Sequence, residues 1–150
     1  MPEPSATEAI RVSVPAGLPS LDLVYPALEQ LWEAHDGVPL RERMRLETAV
    51  VEIFVNIVQH AYRADRADPA EQDARRLDLV LAASDAGIGA TFSDNGEPAE
   101  IDLSQVTMPD TESESGRGLA MALAALDDLS YERIGGRNRW HLLVRTPPAA

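Results

Sequence analysis

Residues 48–60, Thr-Ala-Val-Val-Glu-Ile-Phe-Val-Asn-Ile-Val-Gln-His, constrain the fold more than any other stretch of the chain. From 49 to 58 only Glu52 and Asn56 are polar. A helix that is apolar nearly all the way round has to be covered on most sides by other elements. A carboxylate and an amide within it are costly unless something polar faces them. Their i, i+4 spacing stacks them on one stripe, with Thr48 and His60 one step to either side. The segment reads as a packed helix with one line opening on a polar cleft. A blander reading, in which that line meets solvent and the two side chains bond locally, is equally open to this segment alone.

The elements around it follow from period and punctuation. Ile10, Val12 and Val14 alternate with Arg11 and Ser13, which predicts a strand over 8–14. Pro15-Ala16-Gly17-Leu18-Pro19 stops it, and Ser20 is placed to cap a helix to about residue 35 that buries Leu23, Leu28, Leu31 and Trp32. After Gly37 and Pro39 the second helix runs from about 40 to 62, polar in its first half, and residues 63–76 read as an exposed loop. Leu77, Leu79 and Leu81 predict a strand, and a turn near Asp85-Ala86-Gly87 leads into another over 88–93. A long acidic loop over 94–115 precedes a helix over 117–128 with Leu119, Met121, Ala122, Leu123 and Leu126. Strands near 129–134 and 139–146 close the chain, joined by a turn at Gly135-Gly136-Arg137-Asn138.

The order β-α-α-β-β-loop-α-β-β lacks the strict alternation of a doubly wound sheet. Short turns between strands imply antiparallel pairs, and the helices are left to cover one face. The expected architecture is an α+β two-layer sandwich with a mixed, mostly antiparallel sheet, in a single domain spanning 1–150 with its core at about 8–146.

Charge narrows the partners. The chain carries 13 Lys and Arg against 25 Asp and Glu, a net of −12, with no basic stripe, which disfavours direct nucleic-acid binding. The acidity either serves solubility or selects basic protein surfaces. There is no cysteine, so disulfides and thiolate metal sites are excluded. No run approaches the roughly 20 apolar residues of a membrane span, and the start Met-Pro-Glu-Pro-Ser has no signal-peptide character. A cytoplasmic protein is expected.

Two further motifs carry chemistry. In Phe92-Ser93-Asp94-Asn95-Gly96-Glu97-Pro98, Gly at i+2 lets the backbone turn while the Asp94 carboxylate points back into a pocket. Fixed there, it can accept a hydrogen bond from an exocyclic amine such as that of adenine; the same residues also make an ordinary turn. Ser115-Gly116-Arg117-Gly118-Leu119 opens an apolar-periodic helix, and a helix start with glycines admits phosphate. It can equally be a flexible hinge.

The three motifs together, in this order and on these elements, resemble the Bergerat ATP-binding fold of the GHKL superfamily. Glu52-x-x-x-Asn56-x-x-x-His60-Ala61-Tyr62, then Asp94-x-Gly96-x-Pro98, then Gly116-Arg117-Gly118-Leu119 cover the pattern. The Asn…His-Ala-Tyr ending and the tail Tyr131-Glu132-Arg133…Gly136-Arg137-Asn138 are similar to the anti-sigma-factor serine kinase branch. The resemblance spans about residues 8–146.

It implies ATP and Mg²⁺ as ligands. Asn56 is then the Mg²⁺ ligand and Glu52 the general base. Asp94 reads the adenine amine, with Gly96 making room for the base. Gly116, Arg117, Gly118 and Leu119 form the phosphate-binding helix start, and His60 is a packed or capping residue. The implied activity is a serine/threonine protein kinase acting on a STAS-type anti-anti-sigma partner. It also holds a sigma factor when unphosphorylated partner is scarce, docking its partners through the first helix and the loop 94–115, and it forms a homodimer. One departure weakens nucleotide binding: 107–115 carries Asp110, Glu112 and Glu114 and no Lys or Arg, leaving Arg117 as the only obvious cation. The alternative is a non-catalytic module, with or without nucleotide, that acts by sequestering proteins. A histidine-kinase catalytic domain is disfavoured because no dimerisation helix pair with a phosphoacceptor His precedes the first strand.

Overall fold

The computed structural model describes residues 9–60, 75–99, 103 and 117–146. Strands β1 (Ile10–Pro15), β2 (Arg76–Ser84), β3 (Gly87–Asp94), β4 (Asp128–Ile134) and β5 (Arg137–Val144) form one sheet in the order β1-β2-β3-β5-β4. All four pairings are antiparallel. Helices α1 (Leu21–Ala34), α2 (Leu40–His60) and α3 (Arg117–Ala125) complete the described elements. Among the described residues no helix is long and apolar enough to cross a membrane.

Period-2 burial selects the face that the helices cover. Val14 of β1, Leu77, Leu79 and Leu81 of β2, Ile88, Ala90 and Phe92 of β3, and Trp140, Leu142 and Val144 of β5 all enter one core. α1 packs on β1 and β2, whereas α2 lies against β3 and β5. The expected two-layer arrangement is therefore present, with the apolar helix at its centre: Leu46, Ala49, Val50, Ile53, Phe54 and Ile57 are buried along α2.

The first helix differs from expectation at two places. Its buried line is Val24, Ala27, Leu28 and Leu31, while Leu23 is 54% exposed. At about 100° per residue Leu23 lies well off the line through Leu28 and Leu31. Trp32 is half-buried, and the Arg43 guanidinium lies over its ring at 5.7 Å. Arg43 also donates to the carbonyls of Val38 and Asp36, each at 2.7 Å, so a residue from the polar start of α2 organises the α1–α2 connection. Ser20 occupies the N-cap position, but in helical geometry (φ −69°, ψ −10°) with no side-chain cap bond. A 3-10 turn over Leu18–Ser20 runs directly into α1, and the Ser20 hydroxyl donates instead to the Pro15 carbonyl at 2.7 Å.

The β4–β5 connection is tighter than the four-residue turn expected. Gly135 (φ 59°) and Gly136 (φ 77°) make a two-residue hairpin, and β5 begins at Arg137. Two consecutive positive φ values match the twist of the flanking strands and suit glycine. Arg137 and Asn138 thus belong to the sheet, opposite Ile134 and Arg133.

α3 runs antiparallel to α2 and is held at both ends. At its C-terminal end Arg45 donates to the Ala125 carbonyl at 2.9 Å and pairs with Asp127 at 3.2 Å. The Asp127 carboxyl is held below its ordinary pKa, first by the Arg145 backbone N–H at 2.6 Å and then by Arg45. At its N-terminal end α3 meets Glu52 of α2.

Candidate functional site

Glu52 and Asn56 stand one turn apart on α2, half-buried, beside the stripe that enters the core. The first turn of α3 closes on them. A methyl group built at Gly118 falls 2.5 Å from Glu52 Oε2 and 3.6 Å from its Cδ, so glycine is what allows the approach. A carboxylate from α2 and the N-terminal turn of α3, far apart in the chain, thus form one locus. Arg117 is the first residue of α3, and Leu119 is buried in the core, where it fastens that first turn. His60, half-buried, ends α2. Gly116, the pair Ala61-Tyr62, and the acidic stretch 107–115 lie outside the described residues.

Asp94 ends β3. Continuing the inward series Ile88, Ala90, Phe92, it falls on the helix-covered face and is completely buried. Its Oδ1 accepts two hydrogen bonds, from the Gly96 N–H at 2.9 Å and from Asn138 Nδ2 at 2.8 Å. The first is the i to i+2 turn that the Asp-x-Gly spacing foretold. Its Oδ2 is buried and has no hydrogen-bond partner among the described residues. Burial pushes the Asp94 carboxyl above its ordinary pKa, opposed by the bonds from Asn138 and Gly96 and by the charges of Arg137 and Arg133. A buried acceptor without a donor costs about 1–3 kcal/mol, and a ligand amine at Oδ2 would remove that cost.

Asn138, Tyr131 and Arg133 were not singled out as site residues from sequence, yet they build the floor beneath Asp94. Asn138 lies opposite Asp94 in the sheet and is buried. The signal was present: counting back by twos from Val144, Leu142 and Trp140 puts Asn138 on the inner face. The glycine-rich turn beside it concealed this.

These side chains fit the groups that the motifs implied. Asp94 Oδ2 suits an exocyclic amine, and the Asn56 amide oxygen is a hard donor suited to Mg²⁺. The close start of α3 suits phosphate.

Residues 14–143 match the family described as the histidine kinase-like ATPase domain. Among solved structures, the chain is similar to the crystal structure of the RsbU and RsbW domains of Rv1364c from Mycobacterium tuberculosis, with 19% identity and a TM-score of 0.63. That similarity covers 93% of this chain and 33% of the other, so the chain spans about a third of the length of the structure that it matches. At this identity the likeness is one of fold. No curated protein matches the chain.

Proposed function

The chain belongs to the histidine kinase-like ATPase domain family, whose members bind ATP, and from that premise we propose that it is a serine/threonine protein kinase of the anti-sigma-factor type. It phosphorylates a STAS-type anti-anti-sigma protein and regulates transcription by exchanging that partner with a sigma factor. The observation that carries the reading is the Glu52 carboxylate set against the first turn of α3, the turn that we assign to phosphate. Nucleotide binding alone asks for no carboxylate there, whereas phosphoryl transfer uses a base to orient and deprotonate the attacking hydroxyl. The likeness to a structure containing an RsbW domain and the Asn56…His60-Ala61-Tyr62 pattern support the branch.

Each residue has a distinct task. Asp94 Oδ2 accepts the adenine amine, and Gly96 turns the chain so that the base can lie beside it. Backbone amides at the start of α3, that of Gly118 among them, would hold the phosphates. Mg²⁺, when bound, neutralises charge on the phosphates, and Asn56 would hold it through its amide oxygen. Glu52 takes the proton of the partner's hydroxyl as that oxygen bonds to the γ-phosphorus and the bond to the ADP oxygen breaks. Catalysis is mostly positioning and charge stabilisation, which these groups supply.

The test is incubation of the purified protein with Mg-ATP and a panel of STAS-domain proteins from the same organism. Phosphate is expected on a serine or threonine of one of them. Binding to a partner with no transfer to any would overturn the kinase reading and leave a sequestering module.

Gly118→Ala gives a finer check on the same locus. Alanine is the better helix former by roughly 0.5–1 kcal/mol, so the melting temperature should hold or rise. The new methyl group pushes the Glu52 carboxylate aside, and transfer should fall by about tenfold or more, since misplacement by an ångström is costly. A Gly118→Ala protein that keeps wild-type transfer would show that the carboxylate's position against α3 is immaterial.

A further inference from the structure

We propose that Asn138, locked by Tyr131 and Arg133, is the positioning residue that sets which base the site accepts, by fixing which oxygen of Asp94 is left free. The proposal rests on the reading of Asp94 as the base-binding carboxylate and adds to it the residues that give that carboxylate its direction.

A buried amide can present either its oxygen or its nitrogen, and here the neighbours leave one choice. Arg133 Nη1 lies 2.8 Å from one side-chain atom of Asn138, and a guanidinium can only donate. That atom is therefore Oδ1, which also receives the Tyr131 hydroxyl at 2.5 Å. The Tyr131 oxygen in turn accepts from the Ala99 N–H at 2.9 Å, so its own proton must point to Asn138. The Nδ2 group is left to face Asp94 Oδ1 at 2.8 Å and the Glu97 carbonyl at 2.7 Å. Both ends of the amide are satisfied, and the chain of donors runs one way, from Ala99 through Tyr131 and Asn138 into Asp94. A fully satisfied buried polar network of this kind holds one arrangement.

The consequence for specificity is chemical. With Gly96 and Asn138 both on Oδ1, the other oxygen has no partner among the described residues, and it is buried. A 6-amino purine offers it a donor. A 6-oxo purine in the same pose sets another acceptor against it at the 6-position, and its N1–H donor lies one atom away from that place. If Asn138 is removed, or if it is held less firmly once the Tyr131 donor is lost and Arg133 alone fixes it, the second donor's grip on the carboxylate is lost or weakened. The carboxylate can then turn or take up water, and the distinction between the two bases weakens. Arg133 shares in this lock and also donates to the Gly96 carbonyl at 3.1 Å, which ties the loop after Asp94 to the same hub.

The experiment is calorimetric titration of ADP and of IDP into the wild type, Asp94→Asn, Asn138→Ala and Tyr131→Phe proteins. Thermal melts accompany each. The wild type is expected to prefer ADP by roughly tenfold to a hundredfold, the worth of one hydrogen bond to a charged acceptor, and Asp94→Asn should abolish or reverse that preference. Asn138→Ala and Tyr131→Phe should reduce the preference to about a third of its value or less, chiefly by weakening ADP. Tyr131→Phe is the safeguard on folding, because it keeps the ring that lies 4.7 Å from that of Trp140 and removes only the hydroxyl. A merely structural role would lower both affinities together and leave their ratio intact. A wild-type preference that Asp94→Asn abolishes or reverses but folded Tyr131→Phe or Asn138→Ala leaves unchanged overturns the proposal alone. A wild type that does not distinguish ADP from IDP overturns the reading of Asp94 and the proposal with it.

Discussion

Glu52→Gln is expected to bind ATP about as the wild type does and to transfer phosphate about 10²–10⁴-fold more slowly, the usual worth of a positioned base. The amide is nearly the same size as the carboxylate, so the contact with Gly118 and the packing of α2 on α3 are kept. What is lost is the capacity to take a proton from the attacking hydroxyl. Single-turnover phosphorylation of the proposed STAS-type partner, measured beside equilibrium binding of ATP, separates the two effects. Equal loss of binding and transfer would point to a structural carboxylate, and unchanged transfer would remove Glu52 from the reaction.

Asp94→Asn should weaken nucleotide binding by about tenfold to a hundredfold and, at the same time, stabilise the empty protein at neutral pH. The Gly96 N–H and Asn138 Nδ2 both require an acceptor, so the new amide must turn its oxygen toward them. Its nitrogen then takes the place of Oδ2 and meets the adenine amine donor to donor. The stability gain comes from removing a buried charge; the amide that replaces it still has a buried polar end, so the cost of an unpartnered group is not part of the gain.

That gain has a pH signature. Burial raises the folded-state pKa of Asp94 above its ordinary value of 3.8, despite Asn138 and Gly96 and the charges of Arg137 and Arg133. The folded protein therefore binds this proton more tightly than the unfolded chain does, and stability falls as pH rises from about 3.8 through the folded-state pKa. Above that window the penalty is fully present. Chemical denaturation of both proteins from neutral to acid pH should show the advantage of Asp94→Asn shrinking as the wild-type carboxyl becomes protonated. A difference independent of pH would mean that the gain does not come from the charge.

Much of the fold was legible because its sheet obeys a period of two and its turns carry their own residues. Leu77, Leu79 and Leu81 and the Asp85-Ala86 turn placed the start of β2 to within one residue, though its last named residue falls three short of Ser84, and β3 to within one residue at each end. The same period run forward from Ile88 would have predicted that Asp94 is buried, which its turn motif alone leaves open. Asn138 was harder, since Gly-Gly-Arg-Asn reads as four turn residues until two positive φ values shorten the turn to two. Leu23 failed for another reason: α1 is apolar on more than one line, and the choice of line belongs to the sheet that it meets. The meeting of Glu52 with Gly118 is a tertiary fact, visible in sequence only through the joint resemblance of the motifs.

The antiparallel pairing of α2 and α3 carries one more consequence. Arg45 and Glu52 are seven residues apart on α2, and Ala125 and Gly118, which they meet, are seven apart on α3. The two helices therefore gauge each other's length over about 10 Å. Insertion or deletion of one residue between Gly118 and Ala125 turns one end of α3 by about 100° relative to the other. Then either the Ala125 carbonyl leaves Arg45 or Gly118 leaves Glu52. This stretch can change by substitution but not by length, so indels in homologues, and insertions made by an engineer, have to be accommodated outside it.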